Sequence, residues 1–338
     1  MEKLEALASV VRLSDRVLRI LGQNPGKFTL QGTNTYLVGE RRPYTLIDTG
    51  EGKTEYISVL ESTLRDLGGG PAASARQHVS DIIISHWHPD HVAGLSSVLS
   101  LLSRLWDDRN TSTPFKPPRI HKFPHASLPD GRLHLAVQSI PPNAYTPSPS
   151  GSLFHDLQHG QSFPITRSDV SSDPEASFQV VHSPGHTQDS ICLLFPSDNA
   201  LYTADTVLGQ GTTVFEDLAT YISTLRSLLS HRDQYSILYP GHGPVVQNGA
   251  QLIDTYIKHR MEREAQILQV MQQVPEAAEG SWSTWGIVSK VYANYPQNLW
   301  EPAARSMDQH LKKLEIDGRV KRIGGEGNDV RWELLSRL

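Results

Sequence analysis

Apolar residues recur along the chain in two rhythms. Between residues 17 and 50, short β-rich runs in "RVLRILGQNPGKFTLQGTNTYLVGERRPYTLIDTG" are separated by Gly, Asn and Pro, which predicts successive strands joined by turns. "TEYISVLESTLRDLGG" (54–69) places apolar residues at helical spacing and ends on glycines, predicting a helix. "VSDIIIS" (79–85) predicts a short buried strand, and "HVAGLSSVLSLLSRLW" (91–106) a helix. Strand signals return in "SFQVVHSPG" and "SICLLFPSDNALYTAD". An amphipathic helix (215–231), a strand and turn "YSILYPGHG" (235–243) and a long helix (249–274) follow. Strands interleaved with helices predict an α/β architecture.

Two stretches break these rhythms. Residues 107–152 contain "DDRNTSTPFKPP" and "IPPNAYTPSPSGS", and their Pro, Ser and Asn content predicts an excursion with little regular structure. The tail, 281–338, predicts two helices and then two strands, "RVKRI" and "VRWEL", around the turn "GGEGND". That order is winged-helix-like. Trp282, Trp285, Trp300 and Trp332 would give the module apolar area to pack on the long helix, from where it could border a cleft. The expected domains are 15–275 and 281–338.

Composition removes several functions. The 338 residues carry a formal net charge of −5, which gives no global electrostatic argument for nucleic acid. Residues 104–132 hold six Lys/Arg against three acids, but a solvated loop explains them as well as a phosphate contact does. The single cysteine, Cys192, excludes an internal disulfide and a multi-thiolate zinc site, and its apolar run "SICLLF" places it in the core. No apolar run reaches the length of a membrane span. "MEKLEALASVVRLSDR" carries acids and lacks a long apolar stretch, so the expected compartment is the cytoplasm, with mitochondria left open. A Gly-x-Ser-x-Gly nucleophile elbow is absent.

Candidate chemistry concentrates in "SHWHPDH" (85–91), directly after the apolar run. His86 and His88 could aim at one cation from a strand end, and Asp90 and His91 could serve a second. Three further residues sit at turns after apolar runs: His186 in "SPGHTQDS", Asp205 in "YTADTVLG" and His242 in "YPGHGPVV". Structural zinc usually takes four protein ligands, often cysteines. Seven His and Asp candidates without a thiolate fit two open-sided ions better.

His86-x-His88-x-Asp90-His91, His186, Asp205 and His242 resemble the signature of the metallo-β-lactamase superfamily, over about residues 15–275. The resemblance implies an αββα sandwich with a dinuclear site at one edge and a small C-terminal winged-helix-like module. It implies two Zn2+ per chain, with His86, His88 and His186 at the first ion, Asp90, His91 and His242 at the second, and Asp205 between them. Asp48 in "LIDTG" resembles the family's buried aspartate that orients ligands from below. His88 stands where oxygen-reducing diiron relatives carry glutamate, which points to zinc and hydrolysis. Asp205 stands where common β-lactamases carry cysteine, which argues against antibiotic hydrolysis.

"NPGKFTLQGTNTYLVG", "GQGTTVFEDL", "HRMEREAQIL" and "HLKKLEIDGRV" are similar to the beta-lactamase-like protein 2 group. That group includes endoribonucleases acting on single-stranded RNA and thioesterases releasing polyketides from acyl carrier proteins. Relatives commonly have histidine where this chain has Ser190. The resemblance implies hydrolysis by a hydroxide held between the metals, with Asp90 as both ligand and proton shuttle. The expected substrate is a carrier-protein-bound polyketide or a small acyl thioester. The apolar, aromatic character of "TTVFEDL" and "QGTNTYL" suggests an acyl-lined pocket. Single-stranded RNA is the alternative substrate, and a membrane partner is not expected.

Overall fold

The computed structural model describes residues 4–67, 76–109, 113–125, 131–167, 176–274 and 280–335. Packing divides the chain into two compact units, Met1–Thr213 with Ser230–Ala250, and Val214–Leu229 with Gln251–Leu338.

The first unit holds two sheets. The first sheet has seven strands in sequence order: β1 (Val10–Arg12), β2 (Val17–Leu21), β3 (Asn34–Val38), β4 (Tyr44–Ile47), β5 (Val79–Ile84), β6 (Arg119–Lys122) and β7 (Phe154–Asp156). β1 to β4 pair antiparallel, and β4 to β7 pair parallel. Parallel neighbours need crossovers. Helix α1 (Thr54–Asp66) connects β4 to β5, and the short α2 (Pro89–Val92) with α3 (Leu95–Asp107) connects β5 to β6. The second sheet has the order β12 (Ile237–Pro240), β11 (Ala200–Ala204), β10 (Ile191–Phe195), β9 (Ser177–His182), β8 (Ser162–Pro164).

The run of three isoleucines in β5 shows how the layers form. Side chains alternate across a strand. Ile82 and Ile84 therefore join Leu60 and Leu64 of α1 and Val98 and Leu102 of α3 in one core. Ile83 points the other way and joins Tyr36 and Ile47 with Phe178, Phe195 and Tyr202 of the second sheet. A strand buried on both faces reads as a continuous apolar run rather than an alternating one.

The helix expected over 91–106 is divided, because Gly94 presses against the loop after β4. Its N–H donates to the Gly50 carbonyl at 2.9 Å, and a Cβ there would lie 2.0 Å from the Thr49 oxygen. Residues 110–112 and 126–130 of the excursion expected over 107–152 lie outside the described residues, and the rest is more ordered than its composition suggests. It supplies β6 and the short helix α4 (Arg132–Val137). β6 reads "RIHK", and the polar residues are there because buried Asp81 on β5 needs partners. Arg119 Nε donates to Asp81 at 2.8 Å, and His121 Nε2 lies 2.7 Å from the same carboxylate.

The second unit contains most of α5 (Leu218–Ser230) and of α6 (Gly249–Met271), with α7 (Thr284–Val291) and α8 (Trp300–Ile316). Its antiparallel sheet has the order β13 (Trp282–Ser283), β15 (Arg331–Leu334), β14 (Val320–Gly324), one strand more than the sequence suggests. Ser283 caps α7 by accepting from the Gly286 N–H at 2.9 Å. Ile267 and Met271 of α6 share a core with Ile287, Met307, Leu311, Trp282 and Trp332. Trp332 is fully buried and donates Nε1–H to Thr284 Oγ1 at 3.0 Å. Trp285 instead stays 37% exposed, edge-on to Trp300. Among the described residues, no helix is long and apolar enough to cross a membrane.

Candidate metal centre

The seven candidate residues come together from four places in the sequence and two sheets. His86, His88, Asp90 and His91 follow the end of β5. His186 lies on the turn between β9 and β10, Asp205 follows β11, and His242 follows β12. Two clusters result: His86, His88, His186 and Asp205, and Asp90, His91 and His242. Within each, one ligand atom per residue lies within 4.8 Å of the others.

In the first cluster, His86 Nε2 and His88 Nδ1 are 3.0 Å apart, and His186 Nε2 lies 3.3 and 3.0 Å from them. In the second, His91 Nε2 and His242 Nε2 lie 3.2 and 3.1 Å from Asp90 Oδ2. Asp205 stands between the clusters: Oδ2 is 3.6 Å from His186 and 3.3 Å from His242, and Oδ1 is 3.4 Å from His91. His91 Nε2 and Asp205 Oδ1 are buried and make no hydrogen bond. Buried polar atoms are normally satisfied. Ring nitrogens and carboxylate oxygens converging in this way are the donor set of a divalent cation.

The opposite ring nitrogens are also held. His86 Nδ1 is 3.0 Å from Ser85 Oγ, His91 Nδ1 is 2.7 Å from Asp48, and His186 Nδ1 is 3.2 Å from Thr213 Oγ1. Partners of this kind fix the tautomer and leave the other nitrogen free to ligate. Asp48 is fully buried and adopts a left-handed φ of 59° at the end of β4. Besides His91, it accepts from Ser85 N–H at 2.7 Å, from Ser85 Oγ at 2.8 Å and from the Tyr202 hydroxyl. A Cβ on Gly241 would lie 2.3 Å from Asp205 Oδ1, so the Pro-Gly-His turn needs glycine there.

Ser85, Tyr202 and Thr213 support the centre without a sequence signal of their own. The stretch "GTNTYL" did carry a signal, but its role differs from the acyl-pocket lining expected. Thr33, Asn34 and Tyr36 are buried. Thr33 Oγ1 donates to Asp90 at 3.0 Å, Asn34 Nδ2 donates to the Pro240 and Gly243 carbonyls, and the Tyr36 hydroxyl donates to Pro240 at 2.8 Å. These residues clamp the turn that carries His242. In "TTVFEDL", Phe215 stacks on Tyr221 and lies under the Arg260 guanidinium. Ser190 sits away from the ligand atoms and accepts from Thr187 N–H at 3.1 Å, closing the His186 turn.

Electrostatics separates the clusters. Burial, reinforced by neighbouring imidazoles, pushes His86 far below the usual histidine range and His88 down to about 4. Both are therefore neutral and able to ligate. Burial also opposes charge on His91 and His242, but Asp90 and Asp205 outweigh it, raising His91 strongly and His242 to about 9. The same contacts hold both carboxylates ionised against their burial. A cation entering the second cluster must displace protons, so its affinity rises with pH. Cys192 is fully buried, and burial pushes its thiol up to about 11, which removes it from the chemistry.

Comparison with known proteins agrees with this geometry. A family model described as Metallo-beta-lactamase superfamily matches residues 28–102 and 134–242, more than half of the chain. A second, Beta-lactamase associated winged helix domain, matches residues 283–332. The Beta-lactamase-like protein 2 homolog of Drosophila melanogaster is 35% identical over 93% of this chain and 93% of its own length. The atrochrysone carboxyl ACP thioesterase nsrC of Aspergillus novofumigatus is 32% identical over 99% of this chain and 88% of its own. The crystal structure of a beta-lactamase domain protein from Burkholderia ambifaria superposes with a TM-score of 0.69 at 17% identity, covering 99% of this chain and 96% of that one. On the matched residues and the end-to-end similarity to these relatives, the chain belongs to the metallo-β-lactamase superfamily and carries its associated winged helix domain.

Proposed function

We propose that the chain is a zinc-dependent hydrolase of acyl thioesters, acting on a polyketide or related acyl group held by an acyl carrier protein, or on a small acyl thioester. His86, His88 and His186 would hold one ion, Asp90, His91 and His242 the other, and Asp205 would serve both. Bound zinc would act as a Lewis acid and lower the pKa of water to about 7. Within the chain, Asp90 would handle the proton. Its side chain is 21% exposed, against 10% for Asp205 and 2% or less for His91 and His242. Its carboxylate is kept ionised by His91 and His242, and Thr33 fixes its orientation by donating to Oδ2. An ionised, oriented and reachable carboxylate can take a proton from a nucleophile and return it to a leaving thiol.

The observation that carries the substrate reading is the near full-length similarity to proteins named atrochrysone carboxyl ACP thioesterases. The fate of the basic run supports it. Arg104 pairs with Glu61, Arg119 with Asp81, and Lys122 with Asp189, while Arg109 donates to the Leu105 carbonyl and contacts His78. These four of the six cations are engaged within the fold, with Arg104 and Arg119 keeping about half of their side chains exposed. The test is a side-by-side assay of the zinc-loaded protein on acyl thioesters of a pantetheine mimic and on labelled single-stranded RNA. Asp205→Ala is the control in both. Thioester turnover that Asp205→Ala abolishes is expected. RNA cleavage that depends on Asp205, without thioester turnover, would refute the proposal.

A further inference from the structure

We propose that Lys122 and Asp189 are a positioning pair that sets the His186 turn, and through it the metal affinity of the cluster formed by His86, His88, His186 and Asp205. The inference rests on reading that cluster as a metal site. Lys122 ends β6 in the first sheet, and Asp189 lies three residues after His186 on the β9–β10 turn of the second. Neither reaches solvent: Lys122 is 4% exposed and Asp189 0%. Lys122 Nζ donates to Asp189 Oδ2 and to the Phe123 carbonyl at 3.3 Å. Asp189 Oδ1 accepts from Thr187 Oγ1 at 2.7 Å.

An ion pair withdrawn from water is a poor way to gain stability, since an apolar pair of similar volume often does as well. What charge supplies here is direction. The Asp189 carboxylate holds Lys122 with one oxygen and Thr187, the residue after His186, with the other. The rest of the turn is closed on itself, with Ser183 N–H donating to the Ser190 carbonyl at 2.8 Å and Gly185 N–H to the Thr187 carbonyl at 2.9 Å. The turn is therefore a small rigid body, and Lys122 fastens it to the sheet from which His86 and His88 project. The Ile191 N–H also donates to the Ser85 carbonyl at 3.1 Å and Thr213 holds the His186 ring; on this proposal it is the Lys122 tie that sets the spacing of 3.0 to 3.3 Å between His186 Nε2 and those two histidines. The second cluster has separate anchors: Asp48 holds His91, and Asn34 and Tyr36 hold the turn of His242. Loss of the pair should loosen one cluster and leave the other.

Cobalt(II) titration of the full-length apoprotein, followed by visible absorbance and calorimetry, tests this without substrate. Asp189→Asn and Lys122→Met are expected to lose about 10–100-fold in affinity, the range for groups that orient ligands, in one of two binding steps. The same loss in a His242→Ala background would assign that step to the His186 cluster. Should either single variant fold poorly, the double variant Lys122→Met/Asp189→Leu carries the test, because it leaves no unpaired charge. It is expected to regain stability in urea but not cobalt affinity. Wild-type cobalt affinity in the variants, or equal weakening of both steps, would overturn the proposal. A wild-type protein that binds no cobalt would instead overturn the metal reading beneath it.

Discussion

Asp48→Asn is the sharpest probe of how the centre is held. The substitution preserves size, and asparagine tolerates the left-handed backbone at this position, where φ is 59°. Asp48 Oδ1 accepts one bond, from Ser85 N–H, and the amide oxygen can keep it. Oδ2 accepts from three groups: Ser85 Oγ, His91 Nδ1 and the Tyr202 hydroxyl. An amide nitrogen in its place offers two protons. The hydroxyls can rotate to accept, but three partners cannot share two protons. One buried polar group goes unmet, at a cost of about 1–3 kcal/mol in folding stability. The larger effect falls on His91. Once a cation displaces one of its protons, His91 keeps a single one; facing an amide donor, its Nδ1 must accept, which places that proton on Nε2. That atom points at Asp90 and Asp205, 3.2 and 3.4 Å away, so the lone pair a cation would need is lost. Metal affinity of the cluster containing His91 should fall by about 10–100-fold. Zinc titration, urea unfolding and nitrogen NMR of the His91 ring would measure the three effects. If Asp48→Asn binds metal as tightly as wild type and His91 keeps its proton on Nδ1, the argument from Asp48 to tautomer to ligand is wrong.

Three further perturbations follow from the structure. Gly94→Ala should destabilise the first unit by about 3 kcal/mol or more, at the severe end for overpacking, because its Cβ would meet the Thr49 carbonyl at 2.0 Å; a wild-type urea midpoint would refute this. Native Cys192 should resist iodoacetamide at pH 8 and react once unfolded, since burial raises its thiol to about 11. His78 is held down to about 3 by burial and then by Arg42 and Arg109. The folded chain therefore binds fewer protons there than the unfolded chain from about pH 6.5 down to 3, and stability falls as pH drops through that window. His78→Gln should remove about 2 kcal/mol of the stability difference between pH 7 and 5, read from urea midpoints at both values.

The legible parts of the protein were those in which chemistry is dense in sequence. "SHWHPDH" crowds four candidates into one turn, and the two Pro-Gly-His turns announce themselves through residues that permit tight bends. The apolar run before His86 likewise reads directly as a strand buried on both faces. Tyr202 and Ser85 could not be read. Each is an ordinary residue type for its element, and each acquires its role only when the two sheets close on Asp48. β6 was hidden for a related reason: its polar side chains look like loop residues until Asp81 is seen beside them. Aromatic and amide residues in "GTNTYL" signalled importance correctly but suggested substrate, whereas their burial makes them braces.

The direction of the strands has a consequence for how this protein can change. Asp48, Ser85 to His91 and Lys122 leave the exit ends of the parallel strands β4, β5 and β6. His186, Asp205 and His242 leave the exit ends of β9, β11 and β12, which also run in one direction. β5 and β6 begin at Val79 and Arg119, at the opposite ends of these parallel strands from the residues that ligate. Lengthening an exit loop alters the chemistry, whereas lengthening an entry loop moves nothing that ligates. The entry side is therefore where insertions, fusion partners and labels can be placed, and the exit side is where a new substrate preference would be selected.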